Sequence, residues 1–376
     1  MSGSTRPTEI HALNGARAIP PLVLVLFHFC EQRGYFSVRA IDLFVGKGYL
    51  WVEFFFALSG FILIHVYGAR FKMSGYVTFL KTRLARLYPL HLATLLLLLA
   101  LVWFTRAIAP LTGHTSIFDQ PYHPIVSGIT FVANLFLVQA WNLFPYLSWN
   151  APAWFVSVEF LLCILFPVFA FLARGGRRRG ILLIGAGIAG LAALAATSGN
   201  DGLDITFHNG IFRGMAGFAV GAGMAVVYRG LKRIDIHLVN VLQVGVLAGL
   251  IFSIYFGGER HTGNDVVVAA WMMALIFVLA LDKGVVARVF QTGVLTRLGE
   301  WSYAIYLVQF PLLQALRTIR QYYPPEFRVL GEYSGAVQWA EAGVLLAAAI
   351  GLGAALTIFI ERPAHARLRR LITARA

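Results

Sequence analysis

The sequence contains little charge. Only 13% of its 376 residues are Asp, Glu, Lys or Arg, about half of the share in an ordinary soluble domain. Hydrophobic residues make up 59% of the chain, and the mean hydropathy is +0.73. This composition excludes a soluble globular protein, and the abundance of apolar residues excludes a disordered one. A membrane protein with several spans remains.

Cysteine and acidic residues are also scarce. Cys30 and Cys163 both fall in apolar runs, so neither a disulfide framework nor a CxxC metal site is expected. Seventeen acidic residues stand against 31 basic ones, which gives a net charge of +14. The basic residues occur in short clusters between apolar runs, a pattern that favours loops facing anionic lipid over nucleic-acid binding. No Walker loop, GxSxG or HExxH motif is present.

Eleven apolar segments are candidates for membrane-spanning helices, each of which needs about 20 mostly apolar residues. The weakest of them is the short segment 125–141. All eleven centre on residues 16–31, 49–67, 88–108, 125–141, 153–173, 181–197, 211–228, 239–256, 266–281, 301–316 and 336–360.

The basic clusters test whether segment 125–141 crosses the membrane. One cluster follows the second segment, within 70–86, and another follows the fifth, within 174–179. Loops rich in Lys and Arg face the cytoplasm, so an even number of crossings must separate these two loops, yet three segments lie between them. We therefore predict that 125–141 is re-entrant or interfacial and that ten helices span the membrane, with both termini cytoplasmic. The basic loop at 317–328 is an exception, because this topology places it outside.

The expected fold is thus an all-α, polytopic membrane helix bundle. Residues 1–376 are predicted to form a single membrane-embedded domain, with a basic cytoplasmic tail at 364–376. The glycine-rich stretches at 185–190 and 214–223 indicate close helix packing. No internal repeat or matching pair of interrupted helices points to an inverted-repeat transporter.

Ionisable side chains within a membrane cost several kcal/mol unless they are paired or hydrated, so each is a functional candidate. Arg17 and His28 are eleven residues apart, which places them on one helix face about 16 Å from each other. That distance is comparable to a pantetheine arm, so a phosphate held at Arg17 could present a thioester to His28. Spacing alone favours the alternative, in which Arg17 is a basic anchor at the cytoplasmic end and His28 is a hydrogen-bonded packing residue.

Arg83 and Arg86 lie in KTRLARLYPLH at 81–91 and are neighbours on one helix face. They fit either an anchor to anionic lipid or a clamp for phosphate, which guanidinium groups bind through paired hydrogen bonds. His114 and Asp119 have the HxxxxD spacing of glycerolipid acyltransferases, but one such match is weak and falls in a loop predicted to face outside.

Six motifs, in order along the chain, resemble those of the acyltransferase-3 family of integral membrane O-acyltransferases. The resemblance covers nearly the whole chain. The motifs are LNGARAIPPLVLVLFHF at 13–29, VEFFFALSGFIL at 52–63, RLARLYPLH at 83–91, WFVSVEF at 154–160, LGEWSYAIYLVQFPLL at 298–313 and IERP at 360–363.

The resemblance implies transfer of an acyl group, commonly acetyl from acetyl-CoA, to a hydroxyl on an envelope glycan or a lipid- or polyketide-linked sugar. It also implies that Arg17, His28, Arg83 and Arg86 are functional. Gln309 stands where the family often has histidine, so no catalytic role is carried over to that position. Because the chain ends at 376, it resembles the stand-alone type without a C-terminal SGNH domain.

We predict that His28 is the base that takes the proton of the acceptor hydroxyl, since its unperturbed pKa lies near neutrality. Glu159 is predicted to orient His28 or to contact the acceptor. The CoA phosphates are expected at the cytoplasmic face. The residues predicted to bind them are Arg17, Arg83 and Arg86, and those predicted to contact substrate are Trp154, Glu53 and Ser59.

No metal and no permanently bound cofactor are expected; acyl-CoA is the donor co-substrate. The other expected partners are membrane lipids and a glycan or glycolipid acceptor, and the expected location is a bacterial inner membrane. Three alternatives remain open: a transporter or flippase of a glycolipid or small molecule, an acyltransferase acting on a macrolide-type acceptor, and a non-catalytic scaffold. Direct transfer and an acyl-histidine intermediate are not distinguished.

Overall fold

The computed structural model describes residues 9–68, 71–113, 124–199, 202–231, 234–257, 264–320 and 335–374. Within these ranges the chain is helical and has no β-strand. The sixteen α-helices are α1 (His11–Ala16), α2 (Ile19–Arg33), α3 (Arg39–Gly46), α4 (Trp51–Leu63), α5 (Tyr76–Thr112), α6 (Gly128–Leu135), α7 (Trp154–Ile164), α8 (Phe166–Leu172), α9 (Gly176–Thr197), α10 (Gly210–Arg229), α11 (Ile236–Phe256), α12 (Asp265–Leu279), α13 (Val285–Phe290), α14 (Gly293–Arg320), α15 (Gly335–Leu356) and α16 (Arg362–Thr373). The predicted polytopic helix bundle is confirmed.

Seven helical stretches of the described chain are long and apolar enough to cross a membrane. Two shorter apolar stretches, Ala151–Ile164 and Asp265–Leu279, and the 28-residue α14 accompany them. The seven are His11–Arg33, Arg39–Gly68, Met73–Leu111, Phe166–Thr197, Gly210–Arg229, Ile236–Phe256 and Gly335–Ile372.

The stretch Phe166–Thr197 reverses direction at Gly176, whose φ of 73° is incompatible with a continuous helix. Contacts along α10 show the reversal, because α7 runs parallel to α10 whereas α9 runs antiparallel to it. The contacts are Gly210 with Trp154 and Gly214 with Val158 for the parallel pair, and Gly180 with Gly223 and Gly187 with Ala216 for the antiparallel pair. Residues 154–172 and 176–197 therefore form two separate crossings, as the basic cluster between them predicts.

Segment 125–141 does not cross the bundle. Its only regular helix longer than one turn is α6, whose eight residues extend about 12 Å, far less than the roughly 30 Å of a hydrocarbon core. The irregular backbone around it is bonded by buried side chains: Nε2 of His91 donates to the carbonyl O of Asn134 at 2.8 Å, and Oγ of Ser157 donates to that of Leu137 at 2.7 Å. Non-helical backbone at membrane depth requires such partners. The prediction that this segment is not a span is confirmed.

Small residues bring α4, α9 and α10 close together. A Cβ on Gly221 would lie 1.8 Å from the carbonyl O of Ala57, and one on Gly187 would lie 2.6 Å from that of Ala216. Glycine is required at both positions because the neighbouring backbone occupies the space of a side chain. The close packing predicted at 214–223 is confirmed. At 185–190 it is confirmed for Gly187, the glycine of that stretch that lies directly against the backbone of α10.

Basic residues from separate loops meet at one end of the bundle. Arg174 donates to the carbonyl O of Phe71 at 2.5 Å, Arg362 pairs with Glu300 at 2.6 Å, and Arg229 donates to a carbonyl that follows α4. We call this the basic end. The predicted tail, as far as it is described, belongs to α16, which packs against α5 at this end.

The other end, called the opposite end below, holds the C-terminal turns of α2 and α14. These two helices run parallel, because Gly299 lies against Asn14 near their start and Gln309 faces His28 halfway along. Arg317 and Arg320 thus lie about 27 Å or more along α14 from Gly299, away from the other basic clusters. The structure reproduces this exception to the charge pattern.

Candidate active site

A cavity of about 280 Å³ lies at the basic end, between α1, α4, α5, α7 and α14. Five of the residues predicted from sequence line it: Arg17, Ser59, Arg83, Arg86 and Glu159. Sequence reasoning missed further lining residues, which include Asn14, His65, Phe155, Tyr303 and Tyr306.

The three arginines reach the cavity from two elements. Arg17 lies at the junction of α1 and α2, where Pro20 and Pro21 lack the N–H groups that would continue the first helix. Arg83 and Arg86 lie one turn apart on α5 and are partly buried, with the Arg83 side chain 14% exposed. Three positive charges thus meet at one site, although Arg17 is more than 60 residues away in sequence. Such a site attracts a polyanion.

Glu159 lies at the inner wall of the cavity and is 4% exposed. Its Oε1 accepts a hydrogen bond from Oγ of Ser59 and lies 3.7 Å from Nη2 of Arg83. Its Oε2 is buried and has no hydrogen-bond partner in the described part of the chain. The arginines exceed the carboxylates of Glu159 and Glu9 by one charge, so the lining keeps a net positive charge.

His28 does not line this cavity; it lies deeper in the bundle, on α2. Its Nδ1 is 2.8 Å from the carbonyl O of Leu24 and 3.3 Å from Oε1 of Gln309. A carbonyl oxygen only accepts, so Nδ1 carries the proton in the neutral ring. Nε2 is then the lone-pair nitrogen, and it has no hydrogen-bond partner among the described residues. The geometry leaves His28 able to accept a proton.

One turn of α14 separates His28 from the cavity. Tyr306 lines the cavity, and its carbonyl O accepts from Nε2 of Gln309 at 2.9 Å, while Oε1 of the same amide faces His28. The hydroxyl of Tyr306 is held by the carbonyl O of Pro152 at 2.6 Å. The spacing of Tyr306 and Gln309, three residues apart in the otherwise apolar stretch 304–313, is the sequence signal that could have identified both.

Glu53 and Trp154 lie outside the cavity lining and contact Arg213 instead. The guanidinium of Arg213 binds both carboxylate oxygens of the fully buried Glu53, at 2.5 and 2.6 Å. The same group lies 5.5 Å from the centre of the Trp154 ring, which is 5% exposed. The structure therefore shows a buried ion pair at these positions, and their contact with substrate stays a prediction.

The described residues contain no group of His, Cys, Asp and Glu side chains that could hold a metal ion. His114 and Asp119 lie outside the described residues.

Comparisons with known proteins agree with the motifs. A family model described as an acyltransferase domain, of the acyltransferase-3 type, matches residues 10–360. The protein named acyltransferase MdmB from Streptomyces mycarofaciens is 29% identical over an alignment of 397 residues, covering 97% of this chain and 94% of that protein. Protein 2 in the picA locus of Rhizobium radiobacter is 34% identical over 167 residues, covering 39% of this chain and 81% of that protein. No solved structure matches the chain significantly. The chain belongs to the acyltransferase-3 family and is a membrane-embedded O-acyltransferase.

Proposed function

We propose that the protein transfers an acetyl group from acetyl-CoA to a hydroxyl of an envelope or exported glycan or glycolipid, in a bacterial cytoplasmic membrane. The observation that carries the proposal is the pairing of a positively charged cavity with a deeper histidine whose Nε2 is left as a proton acceptor. Both termini are proposed to be cytoplasmic, so that the basic end faces the compartment that contains CoA.

Arg17, Arg83 and Arg86 are proposed to bind the phosphates of CoA. A guanidinium forms paired, charge-assisted hydrogen bonds with a phosphate, and the three side chains line one cavity. Along the helix axis, His28 is about 16 Å beyond Arg17. An extended pantetheine arm anchored at the arginines would bring its thioester to the depth of His28.

In the proposed reaction, Nε2 of His28 takes the proton of the acceptor hydroxyl, the oxygen attacks the thioester carbonyl, and CoA leaves as a thiolate that then takes up a proton. Leu24 and Gln309 hold the ring through Nδ1, and this leaves the lone pair of Nε2 to take the proton of the acceptor hydroxyl. Glu159 is proposed to act at the cavity wall, on the donor side, because Ser59 and Arg83 hold it there.

The test is acetyl-CoA-dependent transfer by purified His28→Ala protein. Positioned proton transfer contributes roughly 10² to 10⁴-fold, so we expect a rate loss in that range. His237→Ala, on the exposed start of α11, is the matched control and should retain full activity. Thermal unfolding of each variant verifies that it is folded. Wild-type activity in folded His28→Ala protein would remove His28 from the mechanism.

Vesicle assays separate this function from transport. A transporter or flippase would move its substrate without consuming acetyl-CoA, whereas the proposed enzyme cleaves the thioester in step with acylation. Mass spectrometry of envelope glycans, with and without the gene, tests the acceptor class. An unchanged glycan together with acylation of an added macrolide would move the proposal to that acceptor. Label retained on unfolded protein after a single turnover would indicate an acyl-histidine intermediate.

A further inference from the structure

A second cavity, of about 350 Å³, lies at the opposite end of the bundle between α2 and α14. Its polar lining comes from Gln32 and Arg33 at the end of α2 and from Arg317 and Arg320 at the end of α14, together with Glu31. Arg317 and Arg320 belong to the basic loop that departs from the charge pattern of the other loops.

The arginines of this second cavity exceed its carboxylates. Nε of Arg33 pairs with Oε2 of Glu341 on α15 at 2.9 Å, and Nε of Arg320 lies 3.4 Å from Oε1 of the same residue. One carboxylate is thus shared between two guanidinium groups. The described lining, with three arginines and Glu31, carries two net positive charges, and one remains when Glu341 behind it is counted.

Arg33 also presents a buried donor without an acceptor. Its side chain is 7% exposed, and Nη2 is buried with no hydrogen-bond partner among the described residues. An unsatisfied buried donor is costly, particularly on a charged group. A bound oxyanion would accept from Nη2 and balance the excess charge.

The second cavity lies on the far side of His28 from the first. Arg33 follows His28 by five residues, about 8 Å along α2, and Arg317 follows Gln309 by eight, about 12 Å along α14. His28 and Gln309 face each other, so the same two helices join the histidine to the arginines. His28 and Gln309 lie outside the cavity lining, so a molecule held at the arginines must extend further inward to reach the depth of Nε2 of His28.

We propose that this second cavity binds a phosphate group carried by the acyl acceptor, with Arg33, Arg317 and Arg320 as its ligands. The proposal rests on the acyltransferase function above and assigns the acceptor side of it: the acceptor is anionic, and its phosphate is held beyond His28 while its hydroxyl reaches the histidine.

Binding of glucose 6-phosphate to purified full-length protein tests the site without any turnover. The measurement uses an Arg83→Gln/Arg86→Gln background, which removes two arginines of the first cavity, and contains no CoA. In this background, Arg320→Gln and the double change Arg33→Gln/Glu341→Gln should each raise Kd about tenfold or more, because charge-assisted hydrogen bonds are lost. The double change removes both members of the buried pair, and the charge that it leaves without a carboxylate, that of Arg320, is 28% exposed, so the cost to folding stays small. Arg297→Gln, at the basic end of the same helix, is the control and should not change Kd.

Additional probes identify the source of the phosphate. Inorganic phosphate should compete with glucose 6-phosphate, and glucose should not bind. If dihexanoyl phosphatidylglycerol binds at the arginines and glucose 6-phosphate does not, the cavity holds a membrane lipid and the acceptor assignment is wrong. Equal affinity in wild type and all variants, or no phosphate binding at all, overturns the site itself.

Kinetics then connect the site to the reaction. With the arginines of the first cavity intact, Arg317→Gln and Arg320→Gln should raise KM for octyl glucoside 6-phosphate about tenfold while kcat changes little. KM for neutral octyl glucoside should stay the same in both variants. An equal rise in KM for both acceptors would show that Arg317 and Arg320 have a structural role only. Absence of acetyl transfer in the wild type would count against the proposed function, whereas the binding result stands separately.

Discussion

Oε1 of Gln309 faces Nδ1 of His28 across 3.3 Å, although 281 residues separate them in sequence. The amide is fixed in this orientation because its nitrogen donates to the carbonyl O of Tyr306 at 2.9 Å. Gln309 is fully buried, so the amide side of the pair is shielded from water. The residue that replaces the family's frequent histidine thus contacts the ring predicted to be the base.

Gln309→Leu should lower kcat about fivefold and leave KM for acyl-CoA unchanged. The side chain holds His28 through one neutral hydrogen bond, which is worth about 1 kcal/mol. Initial rates at varied acyl-CoA measure both constants. Gln314→Leu, on the same helix and also buried, is the matched control and should retain kcat. A rise in KM alone would place Gln309 in donor binding instead.

Arg83→Gln and Arg86→Gln should each weaken CoA binding about tenfold or more, since each loses charge-assisted hydrogen bonds to phosphate. The response to acceptor concentration should hardly change. Calorimetric titration with CoA measures the affinity. Lys81→Gln removes a charge from the exposed turn before Arg83 and should have little effect. Unchanged CoA affinity in both arginine variants would favour the lipid-anchor interpretation.

Glu53→Gln should destabilise the protein by about 3–5 kcal/mol, because it leaves the buried charge of Arg213 without its partner. Arg213→Met should cost a similar amount. The double variant should cost at least about 2 kcal/mol less than the sum of the two, as expected for groups in direct contact. Thermal unfolding in detergent measures the cycle. If the two losses of unfolding free energy add, the ion pair does not stabilise the fold. If Glu53→Gln protein keeps its full stability but loses acyl transfer, Glu53 is supported as a substrate contact.

Gly221→Ala should destabilise the protein by about 3 kcal/mol or more, because the added methyl group would collide with the backbone of Ala57 and separate α4 from α10. Gly245→Ala has open space around the new methyl group and should be neutral or slightly stabilising. The two variants differ only in position, so their unfolding temperatures isolate the close helix contact. Equal temperatures would contradict it.

The two ends of α9 report the orientation in the membrane. The test uses two single cysteine variants, Arg178→Cys at the basic end of the helix and Thr197→Cys at its other end. Both positions are exposed. The native cysteines, Cys30 and Cys163, are buried and give little background. A membrane-impermeant maleimide applied to intact cells should label Thr197→Cys only. Labelling of Arg178→Cys instead would invert the proposed topology.

The helical architecture was predictable because its signals are local. Apolar length and the parity of basic loops identified the crossings and singled out 125–141, and the glycines at 214–223 indicated the tight contact of α10. Arg83 and Arg86 are three residues apart, so their shared face followed from helix geometry alone.

The partners of the polar residues were not predictable, because they come from distant parts of the chain. Glu53 is 160 residues from Arg213, and without that contact its buried charge suggested a substrate contact. The second acceptor at Nδ1 of His28 likewise comes from Gln309, which periodicity cannot pair with it. In such cases the sequence shows which side chains need a partner, and only the fold shows which partner they have.

The length of α5 has a consequence for the membrane around the protein. Its 37 residues extend about 56 Å, well beyond a hydrocarbon core of roughly 30 Å, so part of the helix projects from the bilayer. Arg83 and Arg86 lie in its third turn, on the part of the helix that precedes Pro89. A thicker bilayer would bring the hydrocarbon closer to this part of the helix and to the cavity that both arginines line, and a thinner one would leave it further out in water. The lipid chain length of the host membrane should therefore change the affinity for the CoA that is proposed to bind at these arginines.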